Sequence, residues 1–438
     1  MKYDVVVLGG GPAGVAAGIQ SARSGAYTLL VEANGYLGGM TTHGNLPAFC
    51  PFSDGEKAVI RGIGMEILDE LSDNCWYSDF YPRERDGRRN LDWFPIDSEL
   101  LKSIYDRKVI ESGCEVLLHT QMIGCEMDGS RIRSVTLFHA GGRLNVEADV
   151  FIDCTGDAML AAAAGCDIEI GDEDGEVQSA TLCFKIANFD SERFAVYARE
   201  NHEGGNLFGA CNRAIAADDF IPGEFKVSGV TLPAPGVAVF NFGHVFEVDP
   251  LDPANMTHAE MQARAQLPKL MAFLRKYVPG CEEAVLVSSG PSIGIRESRR
   301  VIGQYVLTAD DYYARSDFED AIAYYCYPID IHGAKAKSDK NDSYHQVFYQ
   351  QRYSKGESYA VPYRCLLPNK VDNLMTAGRI ISCDRQMLGS VRVVPCCFAT
   401  GQAAGMAAAM ASRLHSGPNA IDIQSLRQEL RNAGAWLR

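Results

Sequence analysis

The stretch from Tyr3 to Glu32 constrains the fold more than any other part of the chain. Tyr3 to Leu8 has the character of a buried strand, GGGPAG follows at Gly9 to Gly14, and an alanine-rich helical run extends to about Ala22. A second apolar strand, Thr28 to Val31, ends at Glu32. Gly9 permits the tight strand-to-helix turn, Gly11 lets the backbone approach a pyrophosphate, and Gly14 lets the helix pack close to the strand. Pro12 and Ala13 open the helix, whose free N–H groups and positive dipole end suit phosphates. Glu32, followed by Ala33, stands at the spacing of a carboxylate that hydrogen-bonds ribose hydroxyls. A glycine turn without a ligand would not account for Glu32 at that distance. The stretch therefore predicts a dinucleotide site on a Rossmann-type α/β fold.

At 438 residues the chain suits two interleaved domains rather than one core. A formal net charge of −15 disfavours nucleic acid and anionic membranes as partners and favours a small-molecule substrate. The chain starts straight into a strand, with no charged segment, apolar segment and cleavage site, which predicts a cytoplasmic protein. No stretch reads as long and apolar enough to span a bilayer. The 14 cysteines include no CxxC pair and no zinc-type spacing, so reduced thiols, several of them core filler, and no metal are expected.

After Glu32 the chain continues ANGYLGGMTT, an E-x5-GG-x-T pattern. It resembles the FAD signature of the glutathione-reductase superfamily. The resemblance implies that Gly38, Gly39, Met40 and Thr41 cover the flavin side of the cofactor. Ser98 is read as the cap of a helix running to Gly113, and strands are expected at Glu115–Thr120, Ile123–Met127, Ile132–His139 and Arg143–Ala148. These strands look like the β-meander inserted in the FAD domain of that superfamily, with Met122 contacting adenine through its backbone. VFIDCTGD then resembles the family's ATG motif, which places Thr155 and Gly156 near FAD. Asp157 is read as a helix cap. No second GxGxxG follows a strand, and MTAGRIIS stands where aromatic hydroxylases carry a GDAAH-type segment. Both absences disfavour a nicotinamide–dithiol relay and a monooxygenase.

In family order, LGGGPAG, FIDCTGD, GIRESRRVIGQYVLT, YPIDIH, VPYRCLLP, NLMTAGRIIS and GSVRVVPCCFATGQAAG resemble the "FAD-dependent oxidoreductase" family over nearly the whole chain. The expected architecture is a glutathione-reductase-type FAD-binding Rossmann fold with an inserted β-meander and a second α+β substrate domain. The discontinuous FAD domain is assigned to 1–46, 90–183 and 355–438, and the cap to 47–89 and 184–354. The resemblance also places Gly378, Arg379, Gly389, Pro395, Gly401 and Ala403 at the cofactor. Pro395 suits a first helical turn. Gly401, Ala403, Ala404 and Gly405 let the last long helix sit tight against the first βαβ unit. Cys396 and Cys397 are then small packing residues rather than a redox pair, since a vicinal disulfide is strained.

Four residues are candidates for the chemistry. Asp330 and His332 share a face if their stretch is extended, and a carboxylate beside an imidazole suits removal of a hydroxyl proton. The alternative is two polar residues on the wet side of a strand. Arg392 lies in GSVR, which more distantly resembles the GANR stretch of fumarate reductase and succinate dehydrogenase flavoproteins, where the arginine binds a substrate carboxylate. A planar guanidinium suits that work; the alternative is an ion pair with an acid such as Asp384. Arg296 is a further site candidate, within a charged run where Glu297 could pair with an arginine. Arg385 stands where the family often has histidine, and His43 is placed to touch the flavin. Together these predict a non-covalent FAD enzyme that dehydrogenates a small polar substrate, sugar-like or a hydroxy acid. Its electron acceptor or donor is not specified, and a homo-oligomer is allowed. A C=C reductase fed by an external donor and a regulatory flavoprotein subunit are the alternatives.

Overall fold

The computed structural model describes all residues except 79, 86, 221–223, 225, 337 and 338, and all side chains except those and 85, 339–343 and 345. β1 (Lys2–Leu8), α1 (Pro12–Arg23), β2 (Thr28–Val31), α2 (Ser98–Glu111) and β3 (Glu115–Leu117) build one side of a parallel sheet in the order β3-β2-β1. β4 (Gln121–Asp128), β5 (Arg131–His139) and β6 (Gly142–Asp153) form an antiparallel meander. β6 has two roles. Its first half pairs with β5, its second half runs parallel to β1 from Glu147 to Asp153, and Leu374–Thr376 adds a parallel strand beyond it. Val5, Val7, Val150 and Ile152 are fully buried, as expected of strands covered on both faces.

Three expectations are corrected here. Glu115–Thr120 is not part of the meander but the edge of the parallel sheet, because it pairs with β2. Arg143–Ala148 and the strand ending at Asp153 are one continuous element. The cap of α2 is also one residue earlier: the Asp97 carboxylate accepts from the N–H groups of Glu99 and Leu100.

The last long helix, Val394–Arg413, crosses α1 at glycines. A Cβ built on Gly401 would lie 2.1 Å from the Ala13 carbonyl oxygen, and one on Gly405 would lie 2.3 Å from that of Ala17. This helix is long and apolar enough to cross a bilayer, against the expectation that no stretch is, yet nearly all of it is buried in the fold. It is apolar all round because protein surrounds it.

The cap holds β7 (Phe184–Ala187), β8 (Gly229–Ala234), β9 (Val237–Asn241), α3 (Pro253–Tyr277) and β10 (Val285–Ser289), with an antiparallel sheet in the order β8-β9-β7-β10. Its separate core is built on Phe184, Phe240, Phe242, Leu270 and Leu274. Two stretches assigned to the cap from the sequence join the other core instead: Phe49 to Leu71, and Leu307 to Ile331.

Candidate active site

The turn after β1 is a cradle shaped by its glycines. Gly9 has φ +93°, and a Cβ there would lie 2.5 Å from the Cys154 carbonyl oxygen. A Cβ on Gly14 would lie 1.7 Å from the Gly9 oxygen, whereas one on Gly11 would meet nothing within 4 Å. The chain is thus closed around Gly9 and Gly14 and open at Gly11, where the first N–H groups of α1 have no helical partner. Pro12 lies in the first turn of α1. The second glycine pair, Gly38 and Gly39, turns back over this opening, with Gly39 packed towards the Gly11 Cα. Thr41 is buried and donates to the Gly38 carbonyl at 2.8 Å. Glu32 accepts from the Gly10 N–H at 2.7 Å and from the Asn34 N–H at 2.8 Å, which fixes its carboxylate at the rim beside Ala33. Met122 is buried near the start of β4.

The TGD turn closes the floor. Thr155 donates to Asp153 at 2.7 Å and accepts from the Met159 N–H at 3.0 Å, and Gly156 takes φ +79°. Asp157 is not a helix cap. It accepts from Arg379 at 2.6 Å and from Ser298 at 2.7 Å, and these partners outweigh its burial and hold its carboxyl below the usual range. Arg379 also donates to the Gly156 and Ile295 carbonyls, so its guanidinium clamps the turn to the loop carrying Arg296. Gly378 packs on Ala13 and next to Cys397. Pro395 and Ala403 are buried along the last helix.

A charged cluster adjoins the cradle. Cβ atoms on Gly290 and Gly294 would meet the Gly44 backbone and the Met40 methyl, so the 290–296 loop lies against the segment after the second glycine pair. The next residue inward is Arg296, which donates to the Ser179 carbonyl at 2.7 Å and the Thr181 hydroxyl at 3.0 Å. Burial, then the nearby Arg392, push its pKa down to about 10. Gly389 has no room for a side chain against the Asp330 backbone, and this close approach brings the 330–332 loop to Arg392. Arg392 donates to the Asp330 carbonyl at 2.8 Å, lies 4.0 Å from its carboxylate, and has a buried Nε without a hydrogen-bond partner. The alternative pairing with Asp384 is excluded: that carboxylate accepts from the Met387 and Ala309 N–H groups.

His332 Nε2 lies 3.4 Å from Asp330 Oδ2, so the two do share one side of their stretch, and they are largely buried rather than on a wet face. Burial and then Arg296 hold His332 well below the usual histidine range, despite Asp330. Asp330 is itself held well below the carboxylate range, because His332 and Arg392 outweigh its burial. Two further members carry no sequence signal. His244 Nε2 lies 2.9 Å from His332 Nδ1, and Glu224 accepts at 2.8 Å from the other ring nitrogen of His244. They lie 88 and 108 residues before His332, outside any motif; the pairing of Thr181 with His244 and the Glu247 N–H donated to the Ala334 carbonyl carry them in.

The rest of the charged run is structural. Glu297 is fully buried and accepts from Arg300 at 2.6 Å and Arg385 at 3.2 Å. Arg385 also reaches the Tyr344 hydroxyl at 2.9 Å. His43 bonds the Tyr36 hydroxyl at 3.0 Å, and burial lowers its pKa. Burial pushes the Cys397 thiol up to about 12 and raises Cys396 well above the usual thiol range, so neither is a thiolate. Among the described residues no group of three or more His, Cys, Asp and Glu is placed to hold a metal.

A family profile described as FAD dependent oxidoreductase matches residues 4–430. The chain belongs to this family. It is an FAD-dependent enzyme, and the open, phosphate-facing space at Gly11 fits that cofactor. Finer grouping with glutathione-reductase-type proteins rests on the motif resemblance alone. This oxidoreductase is similar to a digeranylgeranylglycerophospholipid reductase of Methanoculleus marisnigri, 26% identical over 182 residues, covering 38% of the chain and 42% of the relative. It is also similar to a vinyl phenol reductase of Lactiplantibacillus plantarum, 36% identical over 91 residues, 21% of the chain and 18% of the relative. The chain thus spans less than half the length of these curated relatives. Among solved structures a myxobacterial chondrochloren halogenase aligns with a TM-score of 0.51 at 11% identity, covering 99% of this chain and 79% of that one, which shows a shared fold.

Proposed function

We propose that this oxidoreductase oxidises the alcohol of a small anionic hydroxy acid. One observation carries the reading: the Asp330–His332 pair, the buried Arg296 and the partly buried Arg392 share one cluster beside the cradle. Among the described residues neither Arg296 nor Arg392 is hydrogen-bonded to a carboxylate. A buried guanidinium Nε without a partner is costly unless an acceptor enters, so a substrate carboxylate at Arg392 is favoured.

In this reading Arg392, with its unpartnered Nε, binds the substrate carboxylate and Arg296 supports it. Gly9, Gly11, Ala13, Gly14, Glu32, Gly38 and Gly39 hold FAD, non-covalently, and Thr155 and Gly156 form the floor. FAD supplies a hydride acceptor when bound. Neutral His332 takes the hydroxyl proton, and Asp330 stabilises the imidazolium that results.

The test is anaerobic bleaching of the yellow protein by hydroxy acids, sugars and nicotinamides, each added alone. Bleaching by a hydroxy acid but not by its ester supports the reading; bleaching by nicotinamides alone overturns it. A second reading, reduction of an activated C=C bond, is favoured by the two relatives named as reductases. It predicts that dithionite-reduced protein turns yellow again when an unsaturated acid is added without oxygen.

A further inference from the structure

His332 belongs to a row of four groups: Glu224, His244, His332, Asp330. The gaps between ring nitrogens and their neighbours are 2.8 Å, 2.9 Å and 3.4 Å in that order. Each gap needs a hydrogen, since two lone pairs face each other otherwise. Two neutral imidazoles bring two ring N–H groups between them. A neutral pair therefore leaves one gap empty, and a pair carrying one extra proton fills all three.

The position of the empty gap follows from what each atom can do. The Glu224 carboxylate only accepts, and the same oxygen takes the His244 backbone N–H. Asp330 also only accepts, so distance decides: the two hydrogens fill the two short gaps, and His244 carries its hydrogen on Nδ1. Its Nε2 is then bare, and His332 must donate from Nδ1. The atom left without a hydrogen is His332 Nε2, across the longest gap, facing Asp330. That is the atom a base needs.

We propose that Glu224 and His244 are positioning residues that lock His332 in its Nδ1–H tautomer and take up the proton that its Nε2 removes. The second half rests on the hydroxy-acid reading. The substrate O–H bond breaks, an N–H bond forms at His332 Nε2, and the Nδ1 hydrogen moves to His244 Nε2. FAD, when bound, would supply the acceptor for the hydride of the broken C–H bond. The positive charge ends against Glu224.

The surrounding charges favour this displacement. Burial, then Arg296 and His244, disfavour a cation at His332, while Asp330 favours one. Glu224 faces the far ring, and His244, outweighing the effect of burial, keeps it below the usual carboxylate range. Three further groups near Asp330 stay neutral: burial pushes the Cys50 thiol up to about 12 and raises the Tyr327 and Tyr349 hydroxyls.

The test uses the FAD-loaded full chain with ¹⁵N-labelled histidine, and the two rings are assigned with H332Q and H244F. At pH 8 the ¹H–¹⁵N spectrum should show His332 protonated at Nδ1 and bare at Nε2. In H244F the hydrogen should move to Nε2, towards Asp330. A hydrogen on His332 Nε2 in the wild type, or an unchanged tautomer in H244F, overturns the lock. On acidification the pair should take up one proton together. E224Q should move that uptake to lower pH by roughly one unit or more; no movement overturns the proton store. Should H244F lose FAD, the wild-type tautomer and the E224Q shift still decide. None of these spectra needs a substrate. A wrong tautomer therefore counts against the row, and a hydroxy acid that fails to bleach the flavin counts against the oxidation reading.

Discussion

Replacing Gly11 by alanine should separate folding from cofactor binding. Gly11 has φ −68° and ψ −177°, an extended conformation open to any residue, and an added Cβ meets no atom within 4 Å. With no strain and no clash, Gly→Ala stabilises a fold by about 0.4–1 kcal/mol, through the unfolded chain. The flavin-stripped protein should therefore melt at the same temperature as wild type or slightly higher. The same methyl group would fill the space where a pyrophosphate meets the N–H groups of α1. One lost hydrogen bond to a charged group is worth about 1.5–3 kcal/mol, or roughly tenfold to hundredfold in Kd. Gly14→Ala is the contrast, since its Cβ would lie 1.7 Å from the Gly9 carbonyl oxygen, and it should damage the fold itself. Thermal unfolding of stripped protein and fluorescence titration with FAD read the two effects separately. If G11A binds FAD as tightly as wild type, the cofactor does not lie against Gly11 and the assignment of the cradle is wrong.

Gly401→Ala should lower stability by about 1–3 kcal/mol, because backbone rather than a movable side chain stands 2.1 Å from the new Cβ; calorimetry reads this. R392M should raise the hydroxy-acid concentration for half-maximal bleaching by about tenfold to hundredfold, with a smaller effect at saturation. H332Q should slow bleaching by about 10²–10⁴-fold with FAD retained. Because burial and Arg296 hold His332 below its usual 6.5, the wild-type bleaching rate should stay level as pH falls from 8 through 6.5 and drop only below that. The sign for stability is the same. Between pH 6.5 and the lower folded value the unfolded chain binds the proton and the folded one does not, so this group makes the fold less stable as pH falls below 6.5. Alkylating reagents at pH 7–8 should leave Cys396 and Cys397 unmodified in the folded protein, as mass spectrometry would show.

The cradle was legible because local chain geometry builds it. Gly9, Gly11 and Gly14 act within a few residues of one another, and Glu32 is one helix and one strand away, so their spacing carries the information. The same holds for the last helix, whose glycines are set by its crossing with α1. Asp157 was misread for the opposite reason. A TGD turn before a helix resembles a cap, but a carboxylate takes the strongest donors in reach, and Arg379, brought from 222 residues away, offers a charged one. Asp330 and His332 were legible as neighbours, yet their burial was not, because it depends on Gly389 pressing against the Asp330 backbone.

The sequence by itself determined the dinucleotide cradle, the family and the identity of the candidate base and anion-binding arginine, since each lies in a stretch whose meaning is local. Only the tertiary structure decided which charges face each other. Glu297 and Arg296 are adjacent in one charged run, and the fold turns one into a buried brace and the other into the wall of the site. His244 and Glu224 belong to stretches that pack into the core of Phe184 and Phe240, Ile331 packs into the other, and only tertiary contact places the two behind His332. Electrostatic interactions act through space, and the chain's own spacing carries no record of them until the two domains close on each other.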